Sequence, residues 1–123
     1  MVTYVGKVLS LDPDIEEKVT LEVNGLVITC FANIRPYSIK IGETYPITFD
    51  MLDFQVSIQE GSEETSIERI GTSYSYELRG RLYQGIIDAG ICVSDDFLKS
   101  DYAYLDKAYI CLLVERLDVE FLY

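Results

Sequence analysis

Period-two alternation of apolar and polar residues constrains this 123-residue chain more than any other feature. Val19, Leu21 and Val23 alternate with Thr20 and Glu22. Tyr45, Ile47, Phe49 and Met51 form one face of a later run. Leu117, Val119 and Phe121 alternate with Arg116, Asp118 and Glu120. In an extended chain, successive side chains point to opposite faces, so this spacing marks half-buried strands rather than helices. Ten tyrosines and five phenylalanines fit the same reading, because aromatic rings pack well on a pleated surface.

Turn residues divide these runs into elements. Residues 2–11 form a first strand interrupted by Gly6, and DPDIEE (12–17) is an acidic turn. Asn24-Gly25 is a strong short hairpin signal. It leads into a returning strand at 26–34, apolar enough to be buried on both sides. A Gly-Glu turn opens the strand that begins near Tyr45. From Leu52 the apolar set becomes Leu52, Phe54, Val56 and Ile58. A one-residue slip moves every side chain to the other face, so the spacing predicts a bulge near Met51–Leu52 and a bent strand. EGSEETSIE (60–68) reads as a mobile acidic loop. Strands at 74–83 and 86–93 flank Gln84-Gly85, and residues 94–107 hold a short helix or a structured loop. Tyr109–Phe121 is a long closing strand.

About seven strands and at most one short helix make an all-β chain. No repeat or linker divides it, so residues 1–123 are expected to form one domain. A barrel or an orthogonal sandwich fits, since closure removes exposed edges. The glycine-interrupted first strand, the Asn24-Gly25 hairpin, IGETYPITF and the hairpin within 74–93 together resemble the OB-fold. SYSYELRGRLYQGIIDAGI with YICLLVERLDVEFL is similar to small uncharacterised bacterial proteins of OB-like shape. The resemblance implies a small OB-like β-barrel and, as possible ligands, oligonucleotides or other proteins.

Charge and residue types narrow the function. The net charge is −11, with 21 acidic and 10 basic side chains. Nucleic acids are held largely by Lys and Arg at phosphates, so nucleic-acid binding is disfavoured and a basic protein partner is favoured. Histidine is absent, which removes the commonest general base and every Ser–His or Cys–His pair. No phosphate-cradling glycine loop occurs. These features argue against an enzyme and against a cofactor. Asp95, Asp96 and Asp101, or Glu60, Glu63 and Glu64, supply oxygens, but not with EF-hand spacing, so no metal site is expected. Cys30, Cys92 and Cys111 each lie in an apolar run and read as buried free thiols of a reducing compartment. No basic start with a long apolar run opens the chain, and AYICLLV (108–114) is too short to span a bilayer. The expectation is a cytoplasmic protein with no membrane association.

Two stretches remain as candidate contact surfaces. In SYSYELRGRLY (73–83), Tyr74, Tyr76, Leu78, Gly80 and Leu82 share one face and read as core. Arg79, Arg81 and Tyr83 share the other with Glu77, where they pair with carboxylates or form an alternative contact face. The acidic loops offer Glu60, Glu63, Glu64, Asp95 and Asp96 as a docking surface for a basic protein. Small acidic chains without catalytic groups are similar in size and charge to bacterial immunity proteins, which neutralise toxins that are often basic nucleases. The expected function is therefore a non-catalytic, immunity-type binding module for a toxin-like basic partner. The alternatives are an OB-type single-strand binder using Arg79, Arg81 and Tyr83, and a structural or assembly subunit.

Overall fold

The computed structural model describes residues 2–36 and 38–122, which leaves Tyr37 of the IRPYSIK loop outside the description. Nine strands form within the described residues: β1 (Tyr4–Leu11), β2 (Lys18–Val23), β3 (Leu26–Phe31), β4 (Thr44–Ile58), β5 (Ser66–Arg69), β6 (Tyr76–Tyr83), β7 (Ile86–Asp88), β8 (Cys92–Ser94) and β9 (Tyr109–Phe121). One short helix, α1 (Asp96–Ser100), and a 3-10 turn at Ala103–Leu105 lie between β8 and β9. Two strands beyond the expected seven arise because 60–68 is not a single loop and because 86–93 folds back on itself.

Asn24 (φ 51°) and Gly25 (φ 77°) both take left-handed backbone. That conformation lets a two-residue turn match the twist of its strands. The turn places Val19 opposite Cys30, Leu21 opposite Ile28 and Val23 opposite Leu26. β1 pairs antiparallel with β2 on one side and with the start of β4 on the other. β9 runs antiparallel along β4 and meets β3 in parallel at Phe31 opposite Asp118. These pairings close a five-stranded barrel in the order β1-β2-β3-β9-β4, consistent with the OB-like shape. Val8, Val19, Leu21, Ile28, Cys30, Ile47 and Leu117 fill it and are essentially inaccessible to solvent. Burying each large aliphatic side chain contributes about 1.5–3 kcal/mol. β3 is shorter than expected, ending at Phe31, and it is not buried on both sides: Val27 is exposed.

The phase change in β4 is real, but its cause differs from the expected bulge. Register against β9 continues unshifted from Ile47–Phe121 to Ile58–Ile110, and pairing is missing only where Asp53 faces Glu115. Asp53 has left-handed backbone (φ 56°). β9 changes phase at the same level: Leu117, Val119 and Phe121 are buried on one side of the break, and Ile110, Leu112 and Val114 on the other. Both strands therefore turn over together with no inserted residue. Their C-terminal and N-terminal halves respectively leave the barrel as a second, continuous layer.

Residues 59–108 build that layer. β6 pairs with β9 from Tyr76–Val114 to Arg81–Tyr109, β5 adds to the N-terminal half of β6, and β7 and β8 follow its C-terminal half. Tyr76, Leu78 and Leu82 are buried on one face of β6, as the alternation predicts. Gly80 shares that face because β7 crosses it closely: a Cβ there would overlap the Asp88 carbonyl oxygen. The Gln59 side chain organises the stretch that follows β4. Its Nε2 donates to the Glu64 and Ile110 carbonyls, and its Oε1 accepts from the Glu64 amide and the Ser62 hydroxyl.

Candidate protein-interaction face

The acidic residues singled out from the sequence fall in two separate places. Glu60, Glu63 and Glu64 lie in the β4–β5 connection and are exposed. One member of this limb, Glu64, already has a cationic partner. Glu64 bridges Arg79 at 3.0 Å, and Glu77 bridges the same guanidinium at 2.6 Å. Glu63 borders a shallow depression together with Arg81 and Lys107. A hydrogen bond with Cys111, reinforced by Glu77 and Glu64, raises the pKa of Arg79. Arg81 donates from Nε to the Lys107 carbonyl at 3.0 Å. Tyr83 is about half exposed at the end of the same strand. Arg79 and Arg81 thus serve the protein's own carboxylates and backbone.

Asp95 and Asp96 stand elsewhere, beside three acids that sequence reasoning missed: Asp50, Asp118 and Glu120. Pairing of β4 with β9 sets Asp50 opposite Asp118 and Thr48 opposite Glu120, on the outward face of the barrel. Like charges directly opposite one another are unfavourable. Burial raises the pKa of the Asp50 carboxyl, and the charges of Glu120, Asp118, Asp95 and Asp96 raise it further. Asp118 alone has a close cationic partner, the Arg116 guanidinium, whose Nε and Nη2 reach its two oxygens at 2.7 and 2.8 Å. Arg116 also lies 3.9 Å over the Phe31 ring, which Tyr74 meets edge-on at 5.5 Å. Among the described residues no lysine or arginine bridges Asp50, Asp95, Asp96 or Glu120.

Asp95 has a second task. Its Oδ1 accepts from the amides of Phe97 at 2.8 Å and Leu98 at 3.2 Å, capping α1 and orienting it. The cap leaves Leu98 buried in the core and turns Phe97 outward, where it is 63% exposed. Two adjoining depressions share Asp50 and Glu120. One reaches Asp95, Asp96 and Phe97; the other reaches Asn33 and Ile34. Ile34 is 79% exposed. The resulting surface has a carboxylate centre with an aromatic and an aliphatic side chain at its borders. A pairing of β4 with β9 was needed to see it, because each strand alone shows only ordinary outward acids.

Among the described residues no group of three His, Cys, Asp or Glu side chains is placed to hold a metal ion, and no helix is long and apolar enough to cross a membrane. The three cysteines are free, but only Cys30 is buried; Cys92 and Cys111 are partly exposed, which corrects the expectation for those two. Cys30 sits beside Val19 inside the barrel, and burial drives its thiol pKa far up.

No curated protein and no solved structure matches the chain. A family match does cover both the barrel and the layer inserted between β4 and β9. Over residues 2–122 the chain belongs to the family described as Uncharacterised conserved protein UCP019853.

Proposed function

We propose that this protein is a non-catalytic acidic binding module of the immunity type, which docks a basic toxin or nuclease domain on the face centred on Asp50 and occludes it. The observation that carries the reading is the group of Asp50 and four neighbouring carboxylates, of which only Asp118 is bridged by a cation among the described residues, bordered by exposed Phe97 and Ile34. Burial and the neighbouring carboxylates together raise the Asp50 pKa, and a cationic partner relieves the second cause. Complementary charge also accelerates encounter, while aromatic and aliphatic anchors add contact area. Glu60, Glu63 and Glu64 form a separate and weaker acidic limb, since Arg79 already occupies Glu64. Free thiols fit a reducing, cytoplasmic setting for such a partner.

The test is affinity for a basic toxin or nuclease domain encoded beside this chain, measured by calorimetry at several salt concentrations. Asp50→Asn with Asp96→Asn and Glu120→Gln is expected to weaken binding at least tenfold at low salt. Glu60→Gln with Glu63→Gln is expected to weaken it less. Equal affinity of the wild type and the triple variant at low salt would sink the proposal.

A second reading, an OB-type single-strand binder, has one observation in its favour. The closed barrel carries an aromatic and arginine cluster of Phe31, Tyr74 and Arg116. Bases stack on such groups. Asp118 already holds that arginine, which weighs against it. Salt-sensitive binding of a labelled oligonucleotide, followed by fluorescence anisotropy, would support this alternative.

A further inference from the structure

β4 is a strand of two halves with different neighbours. Its first residues pair with β1 on one side, but that pairing ends at Ile47. Beyond it, β9 is the sole ladder partner of β4 among the described residues. The Gln59 amide donates to the Tyr109 carbonyl at 3.0 Å, which fixes the direction of the ladder. Backbone groups alternate along a strand, so Gln55 and Ser57 bond toward β9. Phe54, Val56 and Ile58 turn their N–H and C=O groups to the open side.

Open edges are usually short or guarded by charge. β5, the edge at the other side of this layer, has four residues and carries Glu68 and Arg69. β8 has three. The open half of β4 and the residue after it read FQVSIQ from Phe54 to Gln59, six residues without a charge in a chain of net charge −11. Ile58 is 54% exposed at its end.

We infer that this edge pairs with the same edge of a second copy of the chain, antiparallel about a two-fold axis at Val56, forming one continuous sheet through two molecules. The sequence is self-complementary in that register. Val56 faces Val56, and Phe54 faces Ile58 of the second copy on the apolar side. On the other side Gln55 faces Ser57, and Asp53 faces Gln59 rather than another acid. Each outward pair exchanges two backbone hydrogen bonds, about six in all. A register shifted by two residues toward the N-terminus would instead bring the Asp53 carboxylate opposite Ser57 and set Ile58 opposite Leu52, beyond the turnover at Asp53. Isologous pairing of this kind closes at two copies and leaves no further free edge of the same type. The surface is distinct from the acidic face around Asp50, so either conclusion can fail alone.

The test uses the full chain and sedimentation velocity across a concentration series. The wild type is expected to shift from one chain mass toward two as concentration rises. Gln55 and Ser57 are exposed, so Gln55→Lys with Ser57→Lys sets lysines against lysines across the axis without touching the core. That variant should stay at one chain mass with an unchanged circular dichroism spectrum. Gln55→Glu with Ser57→Glu should do the same, and an equimolar mixture of the two variants should restore the doubled mass. A wild type that stays monomeric to millimolar concentration would overturn the inference. So would a lysine variant that dimerises as the wild type does.

Discussion

The Tyr76 hydroxyl both accepts from the Thr29 amide at 2.9 Å and donates to the Thr29 carbonyl at 2.7 Å. It thereby stands in for a missing strand. β9 meets β3 only at Phe31, because its N-terminal half departs to pair with β6. That leaves the backbone of Thr29 without a ladder partner on the barrel seam. Tyr76 comes from β6 in the second layer, is 2% exposed, and closes the gap. One phenol therefore ties the seam of the barrel to the inserted layer.

Tyr76→Phe should cost more than the removal of an oxygen suggests. It leaves a buried donor and a buried acceptor unsatisfied together, and each such group costs about 1–3 kcal/mol. We expect a loss of about 2–4 kcal/mol, seen as a lower urea midpoint at unchanged slope. A loss below about 0.5 kcal/mol, the scale of an ordinary surface substitution, would mean that water or a backbone shift satisfies Thr29 instead.

High pH should unfold the protein through the same kind of group. Burial raises the pKa of Tyr4, Tyr74 and Tyr76 above the ordinary 10.0, and it raises that of the Cys30 thiol above the ordinary 9.0. Each group binds its proton more firmly in the folded chain than in the unfolded one. The associated stability is whole below pH 9, starts to fall as unfolded thiols and phenols ionise, and is lost as pH rises through the raised folded values. Melting temperature followed from pH 8 to 11.5 should fall steeply above pH 9–10. A flat profile over that range would contradict the burial of these groups.

Much of this fold could be read in the sequence, and the reasons are local. Asn24-Gly25 fixes a hairpin by itself, and the alternation of Tyr76, Leu78 and Leu82 fixes a buried face. The phase slip at Leu52 was also legible; its counterpart in β9, where the buried set passes from Val114 to Leu117, was not, because apolar Cys111 and Leu113 mask the alternation there. Only their pairing shows that the two slips compensate, so one strand read alone suggests a bulge. The acidic face was hidden for the same reason. Asp50 and Asp118 are 68 positions apart in a chain where six of the nine described strands carry an acid, and register alone brings them opposite. In contrast, Asp95 and Asp96 were visible as a pair. The capping by Asp95 follows from its place two residues before Phe97, although the sequence reading took the residue for surface charge alone.

Asp50→Asn should stabilise the isolated protein at neutral pH. The Asp50 pKa is raised by burial and by four neighbouring acids, so folding is opposed by its ionised form. A raised carboxyl contributes stability that is present below the ordinary value of 3.8 and lost as pH rises through the raised folded value. The asparagine variant has no such loss. Its melting temperature should exceed that of the wild type at pH 7, and the advantage should shrink to nothing as pH falls below about 4. A lower melting temperature at pH 7 would mean that Asp50 makes a favourable contact which outweighs the repulsion. The same variant should bind a basic partner less well, so stability and binding should move in opposite directions.

Asp95 allows charge and capping to be separated at one position. Its Oδ1 holds the amides of Phe97 and Leu98 and so places Leu98 in the core and Phe97 on the acidic face. Asparagine caps a helix about as well as aspartate, whereas alanine does not. Asp95→Asn should therefore keep the urea midpoint close to that of the wild type, while Asp95→Ala should lose about 1 kcal/mol. Binding to a basic partner at low salt should fall in both variants, because both remove the charge. At high salt, where exposed charges more than a few ångströms apart are screened, Asp95→Asn should bind as the wild type does. Asp95→Ala should still bind more weakly, because α1 no longer holds Phe97 in place. Equal binding by the wild type and both variants at every salt concentration would remove Asp95 and α1 from the interface, and with them the side of the docking face that Phe97 defines.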